Sequence, residues 1–324
     1  MAKTKSPLPK GKSPTALKRL NTEMESLEAK LLDYEQLVNL RQKIIVGSMS
    51  KDLYTFLNKN HSLESLFKGL PAPDQIPEGS VESLQDAQTH YVDQAIEGLI
   101  SSIVKTIMKI WQAFCDWIND WIDTNRRLKF RLQRHLRKYN ESARNYGGDP
   151  ATYVKIKGML YNYNKSWVPM YNAVLSMNDL LQKVPQNDPS SWYETNFDQL
   201  KKNLAVFGYT LRVQGTSWSG VIEETGMIHS KQETTLGNAG WSQTELKSIL
   251  TKTISMLDEE EKSRGIFTSV RRAFDRVVGS GSDADLKDIA AFKRLLRMCK
   301  LTKTFAAAVA RHVNDVCNLA LEGA

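Results

Sequence analysis

The stretch Ala95–Ile122, which reads AIEGLISSIVKTIMKIWQAFCDWINDWI, is the most apolar part of the chain and decides its architecture. The spacing of its apolar residues predicts one long helix over Gln85–Ala143. One apolar row of this helix consists of Val92, Ile96, Ile100, Ile103, Ile107, Ile110, Phe114, Trp117 and Trp121. Beyond Glu97, the charges occupy a strip about 60° wide at 100° per residue, formed by Lys105, Lys109, Asp116 and Asp120.

A helix with so broad an apolar face takes one of two positions. It is the central helix of a bundle, or it lies in the interface of a membrane with its tryptophans at the headgroup level. The longest run without a charge, Gly98–Val104, has seven residues, whereas a membrane span needs about 20. We expect the core position, and an interfacial helix over residues 96–122 stays open as the alternative.

After Trp121 the same helix becomes strongly basic. Seven Lys and Arg side chains between residues 126 and 138 are followed by a single acid, Glu141. A solvated helix face normally mixes the two signs, so this bias favours a polyanionic partner over a merely charged tail. Spacings of three and four residues place four of the cations on one face, and they are Arg127, Arg131, Arg134 and Lys138.

The N-terminal part divides into a basic arm and an acidic helical leader. Residues 1–14 carry four lysines and three prolines without periodicity and predict a disordered arm. Over residues 15–60 we expect helix, beginning near Ser13-Pro14. Its apolar residues follow a heptad seam of Leu17, Leu20, Met24, Leu27, Leu31, Tyr34 and Val38. The seam packs on its own domain or, alternatively, pairs with a second copy or with a partner helix, which would make the chain an adaptor.

A linker over residues 61–86 is the best predicted domain boundary. It contains three prolines and two glycines and has no helical period. Residues 20–82 hold 6 basic and 10 acidic side chains, whereas residues 83–324 hold 32 and 26. The charge therefore changes sign at the linker, and we assign residues 87–324 to a main helical domain.

The main domain continues as helices with one small β insert. Helices are expected over about 151–183, with a kink at Pro169, and from Pro189 to about Tyr209. Five glycines and short β-prone pieces around 210–240 predict a hairpin or ordered loop. The capping box Ser242-Gln243-Thr244-Glu245 opens a helix that we expect to run to Gly279, and a last helix follows from Ser282. The predicted fold is mainly α, an elongated multi-helix bundle with one small β-hairpin or loop insert.

The residue types of an active or metal site do not come together in the sequence. There are three cysteines and five histidines, without the spacing of a zinc site. No phosphate-binding glycine loop and no nucleophile elbow occurs. The acidic run Asp258–Glu261 lies beside lysines and predicts a solvated face. We therefore expect no enzyme activity and no cofactor.

The order of these segments resembles the internal head (inner capsid) proteins of large tailed bacteriophages. The resemblance covers most of the chain by layout. Its short motifs are Thr235-Leu236-Gly237-Asn238 before the capping box, and the Arg271-Arg272 helix followed by Lys293-Arg294-Leu295-Leu296-Arg297. It implies a non-enzymatic virion component, made in the host cytoplasm and located inside the head with the DNA or against other capsid proteins.

The resemblance also implies trimming by a prohead protease after a small-x-Glu sequence. The best match is Ser80-Val81-Glu82 in the linker, and weaker matches end at Glu28 and Glu64. Removing the acidic leader would leave a more basic chain that starts at Ser83. This chain would contact DNA phosphates through the residue 127–138 face and through a second patch of Arg271, Arg272, Lys293, Arg294 and Arg297.

Overall fold

The computed structural model describes residues 13–45, 81–141, 153–154, 163–185, 189–214, 219–224, 234–235, 243–262, 264–281 and 285–322. The prediction of a mainly α fold is confirmed. The helices are α1 (Ser13–Ile45), α2 (Val81–Glu141), α3 (Tyr163–Gln182), α4 (Pro189–Thr195), α5 (Phe197–Val206), α6 (Gln243–Lys262), α7 (Arg264–Ser280) and α8 (Leu286–Glu322). The strands are β1 (Tyr153–Val154), β2 (Tyr209–Gln214), β3 (Ser219–Glu224) and β4 (Thr234–Thr235).

Several helix ends agree with the sequence signals, and others differ. Helix α1 begins at Ser13 and α6 begins directly after Ser242, as predicted. Helix α2 begins at Val81 and not at 85, because Gly79 is the last helix-breaking residue before it. The prediction of one helix up to Gly279 is wrong, since α6 ends at Lys262 and α7 begins at Arg264. Likewise, residues 153–154 form a strand where helix was expected. The expectation of one helix from Pro189 to about Tyr209 is also wrong, because α4 ends at Thr195, α5 begins at Phe197, and Tyr209 begins a strand.

The small β element is a hairpin, as expected. Strands β2 and β3 pair in antiparallel register from Tyr209 opposite Glu224 to Gln214 opposite Ser219. A second short pair joins β1 to β4, with Tyr153 opposite Thr235. The hairpin adjoins α5, whose C-terminal turn ends at Gly208 with a positive φ of 74°. Glycine adopts this left-handed conformation without the steric cost that a side chain would add.

Chain contacts divide the protein into two compact units, and α2 contributes to both. The first unit comprises residues 1–118 and 276–285, and the second comprises 119–275 and 286–324. The contact boundary thus falls inside α2, at Ile118. The predicted boundary over 61–86 stays a prediction, because residues 46–80 lie outside the described ranges.

In the first unit, α1 packs antiparallel on the N-terminal part of α2. Lys30 Nζ donates hydrogen bonds to Ser102 Oγ at 2.9 Å and to Thr106 Oγ1 at 2.6 Å. An ion pair joins Arg19 to Asp116 at 3.0 Å at one end, and another joins Arg41 to Asp93 at 2.5 Å at the other. The seam of α1 therefore contacts its own domain. Leu20 and Leu27 of the seam are buried, and so are Leu37 and Leu40 of α1, which the predicted seam does not include.

The core of the first unit contains the apolar row of α2. Ile103, Ile107, Ile110 and Phe114 are fully buried, and Trp117 is 6% exposed. The expectation that this row is core is confirmed for these residues. Trp111, about one turn before Phe114, is only half-buried. The ring centroids of Trp111 and Phe114 lie 5.8 Å apart.

In the second unit, α8 is the central helix. Helices α3, α4 and α6 pack against it, and Phe305 stacks on Phe207 with 3.8 Å between ring centroids. Phe292 contacts Phe274 of α7 at 6.1 Å. Small side chains recur along the buried side of α8, at Ala306, Ala307 and Ala310. They allow neighbouring helices to approach closely while they still exclude water.

Candidate nucleic-acid interface

The segment 119–141 of α2 is fixed in the second unit through one face. Trp121, Asn125, Leu128, Leu132 and His135 are all buried on this face. Trp121 Nε1 donates a hydrogen bond to the Lys303 carbonyl oxygen at 2.9 Å, and Asn125 Nδ2 donates one to the Leu257 carbonyl oxygen at 3.0 Å. These bonds tie α2 to α8 and to α6, so the opposite face points away from both helices.

Two cations of this segment are neutralised by α6. Arg126 Nε lies 2.8 Å from Glu261 Oε1, while Lys129 Nζ lies 2.7 Å from Asp258 Oδ1 and 3.4 Å from Glu261 Oε2. The hydrogen bond with Asp258 raises the pKa of Lys129, and the hydrogen bond with Arg126 lowers the pKa of Glu261. The partner charges thus stabilise the charged forms of Lys129 and Glu261.

The four cations predicted to share a face do share it, and they are exposed. Within the described ranges, none of Arg127, Arg131, Arg134 and Lys138 forms an ion pair or a side-chain hydrogen bond. They cover 11 helical steps, which is about 16 Å of axis at 1.5 Å per residue. We call these four residues the basic face. Their charges are directed to solvent and are available to an external anion.

The predicted second patch divides into exposed and packed side chains. Arg271 and Arg272 of α7 are exposed, and Arg271 Nε lies 3.5 Å from Asp275 one turn further on. On α8, Lys293, Arg294 and Arg297 are half-buried. The patch is therefore less uniformly available than the basic face.

Arg294 in particular is engaged inside the protein. Its guanidinium lies over the ring of Tyr193 of α4, 4.6 Å from the centroid. Burial lowers the pKa of Arg294 and raises that of Tyr193. Such a cation–π contact joins α8 to α4 and occupies the guanidinium that we expected to contact DNA.

The candidate cleavage sites are only partly described. Val81 and Glu82 belong to the first turn of α2, while Ser80 and Glu64 lie outside the described residues. Glu28 is exposed on α1. Cleavage after Glu82 would require the first turn of α2 to open, which is an inexpensive change at a helix end.

A buried polar cluster of the second unit was missed by the sequence analysis. Glu260 is 2% exposed and pairs with Lys303, whose Nζ also donates to the Glu260 carbonyl oxygen at 2.8 Å. Asn178 Nδ2 donates a hydrogen bond to Glu260. The prediction of a solvated face for Asp258–Glu261 is thus wrong for Glu260. A signal was available, because Glu260 continues the buried row of Thr253, Met256 and Leu257 at helical spacing.

Metal sites, membrane spans and relatives among known proteins were also sought. In the described parts of the chain, no three His, Cys, Asp or Glu side chains are grouped so as to hold a metal ion. None of the helices within those same ranges is both long and apolar enough to pass through a bilayer. No protein-family model, no curated protein and no solved structure matches the chain.

Proposed function

We propose that this chain is a non-enzymatic structural protein of a phage head that contacts DNA through the basic face. The observation that carries the proposal is the contrast within one helical segment. Arg126 and Lys129 are neutralised by α6, whereas the four cations of the basic face are exposed. Like charges at this spacing destabilise a helix unless an anion compensates them, so the arrangement is suited to a polyanion.

The head location and the processing rest on the segment order and the small-x-Glu matches. Loss of the acidic leader would shift the charge of the remaining chain towards positive and would strengthen its attraction to packaged DNA. Prohead protease and capsid proteins are then the protein partners. The N-terminal residue of the protein from purified particles tests this part: we expect Ser83, while an intact Met1 or Ala2 would contradict processing.

The two alternative functions have less support from the packing. Membrane insertion of residues 96–122 would have to withdraw Ile107, Phe114 and Trp117 from the interior of the first unit. An adaptor that pairs through α1 would have to displace α2 from Lys30, Arg19 and Arg41. Neither change is needed for the basic face to bind DNA.

The salt dependence of DNA binding tests the proposed interface. A helix along duplex DNA that carries one charge per about 1.7 Å would neutralise about three to four phosphates with the basic face. The slope of log affinity against log salt should therefore contain a contribution of about −3 from these residues. Changing all four to Gln should flatten the slope by that amount, equally for unrelated DNA sequences.

A matched control separates this site from net charge. Lys201, Lys202, Lys252 and Arg311 are exposed elsewhere in the second unit, and their replacement by Gln removes the same four charges. We expect the control variant to keep most of the wild-type slope of log affinity against log salt. An unchanged slope in the basic-face variant, or equal losses in both variants, would contradict the assignment.

A further inference from the structure

An aromatic ring lies exposed in the middle of the basic segment. Phe130 is 60% exposed and is the only aromatic side chain among the large exposed hydrophobics of the described residues. At 100° per residue it lies about 20° from Arg137 and about 40° from Arg134 and from Arg126 on the helix surface. Most of the Phe130 side chain therefore lies outside the protein's interior, and arginines occupy the neighbouring helix positions.

The neighbours of Phe130 argue against a protein or membrane partner. A protein interface needs an apolar centre that excludes water, but the helix positions around Phe130 are Arg126, Arg127, Arg131, Gln133 and Arg134. A membrane-interface helix needs a continuous apolar face. Here the apolar residues of the same segment, Leu128 and Leu132, are buried in the second unit.

A single-stranded nucleic acid fits both features of this surface. The faces of unpaired bases can stack on an aromatic ring, and such stacking tolerates any base. In duplex DNA each base face is covered by its neighbours, so a ring on the surface reaches only phosphates, sugars and base edges. Arg127 and Arg134 lie about 4.5 Å and 6 Å along the axis on either side of Phe130, within reach of the phosphates that flank a stacked base.

We infer that the basic face and Phe130 together form a binding site for single-stranded nucleic acid, in which an unpaired base stacks on the Phe130 ring. This inference rests on the proposed function, because it uses the same cations. It adds the kind of ligand that this face prefers. The preference for unpaired over paired strands comes from Phe130, which carries no charge.

The test compares the full wild-type chain with two variants, Phe130→Leu and Phe130→Tyr, on two DNA probes. The probes are a 20-nucleotide oligo-dT and a 20-base-pair duplex, measured at the same salt concentration. Phe130→Leu keeps the apolar volume and removes the ring, so it should weaken oligo-dT binding about tenfold and change duplex binding less than twofold. Phe130→Tyr keeps the ring and should keep wild-type affinity for both probes.

An abasic strand with the same phosphates supplies the second control. Wild type should bind it about tenfold more weakly than oligo-dT, and Phe130→Leu should bind the two strands equally.

Equal effects of Phe130→Leu on duplex and single strand, or no effect on either, would overturn the stacking site. If the four-Gln variant nevertheless flattens the salt slope, the proposed function stands and only this inference fails. If the four-Gln variant also leaves the slope unchanged, both fail.

Discussion

The two parts of α2 differ in the charges that they expose. In residues 81–118, Asp93 and Asp116 are paired with arginines of α1, and the exposed Glu97, Lys105 and Lys109 mix both signs. In residues 119–141, the exposed cations Arg127, Arg131, Arg134 and Lys138 have one sign and no partner among the described residues. Both parts use some charges for docking, as Arg126 and Lys129 do on α6. They differ in what they expose, which is a mixture of both signs in residues 81–118 and a row of one sign in residues 119–141.

This difference separates charges that join helices from charges that face solvent. Exposed ion pairs such as Arg41 with Asp93 contribute little stability and act mainly by fixing which helix faces meet. An uncompensated row of cations gives no such benefit to the fold. In our proposal an external anion compensates this row.

The largest effect is expected where the first part of α2 is buried. Trp117 is 6% exposed, with its ring 5.9 Å from that of Phe114. Trp117→Ala should lower the free energy of unfolding by about 3–5 kcal/mol, because it removes a large core side chain and leaves a cavity. Chemical denaturation followed by circular dichroism measures the loss.

The exposed Met108 of the same helix is the matched control. It is 50% exposed, so Met108→Ala should change the free energy of unfolding by no more than about 0.5 kcal/mol. Similar small losses for both variants would mean that the apolar face is not core. Tryptophan emission that shifts to the blue only with anionic liposomes would then favour the membrane interface.

A pH-dependent effect is expected in the second unit. Burial lowers the pKa of His312 from 6.5 to about 4 and also lowers that of His135. Between pH 6.5 and pH 4 the unfolded chain therefore binds protons that the folded chain does not, and stability falls as the pH falls. For His312 the loss over this window is about 3 kcal/mol.

Denaturation of wild type and His312→Leu at pH 7, 5.5 and 4 isolates this contribution. The carboxylates titrate in both proteins, so the difference between their free energies of unfolding reports His312 alone. We expect the variant to gain on wild type steadily as the pH falls. A difference that stays constant across the three pH values would show that His312 is accessible to protons in the folded state.

Sequence periodicity predicted where most helices lie, but it did not predict which elements pack against one another. The 3.6-residue period of α2 reveals its buried row because burial leaves a direct pattern in side-chain type. In α1 the same reasoning selected Tyr34 and Val38, whereas Leu37 and Leu40 are the more buried. Spacing identifies a continuous apolar row. It does not show which positions beside that row are buried, because their burial depends on contacts with residues far away in the sequence.

The candidate site shows the same division. The basic face could be predicted, because four like charges at helical spacing need no tertiary information. The partners of Arg294 and of Glu260 could not, because Tyr193 and Lys303 lie about 100 and 40 residues away from them in the sequence. The burial of Glu260 itself left a signal in its helical spacing, but its pairing with Lys303 did not. A charged side chain looks the same in the sequence whether it is paired, stacked or free.

A smaller effect distinguishes docked from free cations within residues 119–141. Lys129 is bonded to Asp258 and Glu261, so Lys129→Gln should lower the free energy of unfolding by about 1 kcal/mol. Arg127→Gln, two residues earlier on the exposed side, should change it by less than about 0.5 kcal/mol. A double-mutant cycle with Asp258→Asn measures the coupling, and zero coupling would argue against the docking contact.

The smallest effect has the opposite sign and concerns the whole basic face. Arg127 with Arg131, Arg131 with Arg134, and Arg134 with Lys138 are like-charge neighbours at spacings of three or four residues, and each such pair destabilises a helix by about 0.2–0.5 kcal/mol. Replacing all four by Gln, a comparable helix former, should therefore raise the free energy of unfolding by about 0.5–1 kcal/mol at low salt. The gain should vanish near 1 M salt, where the screening length is about 3 Å.

A loss of stability in this variant would mean that the four cations have compensating partners within the chain, and the case for an external polyanion would then fail. A gain together with the flattened salt slope would mean that the protein keeps a destabilising row of charge because DNA compensates it.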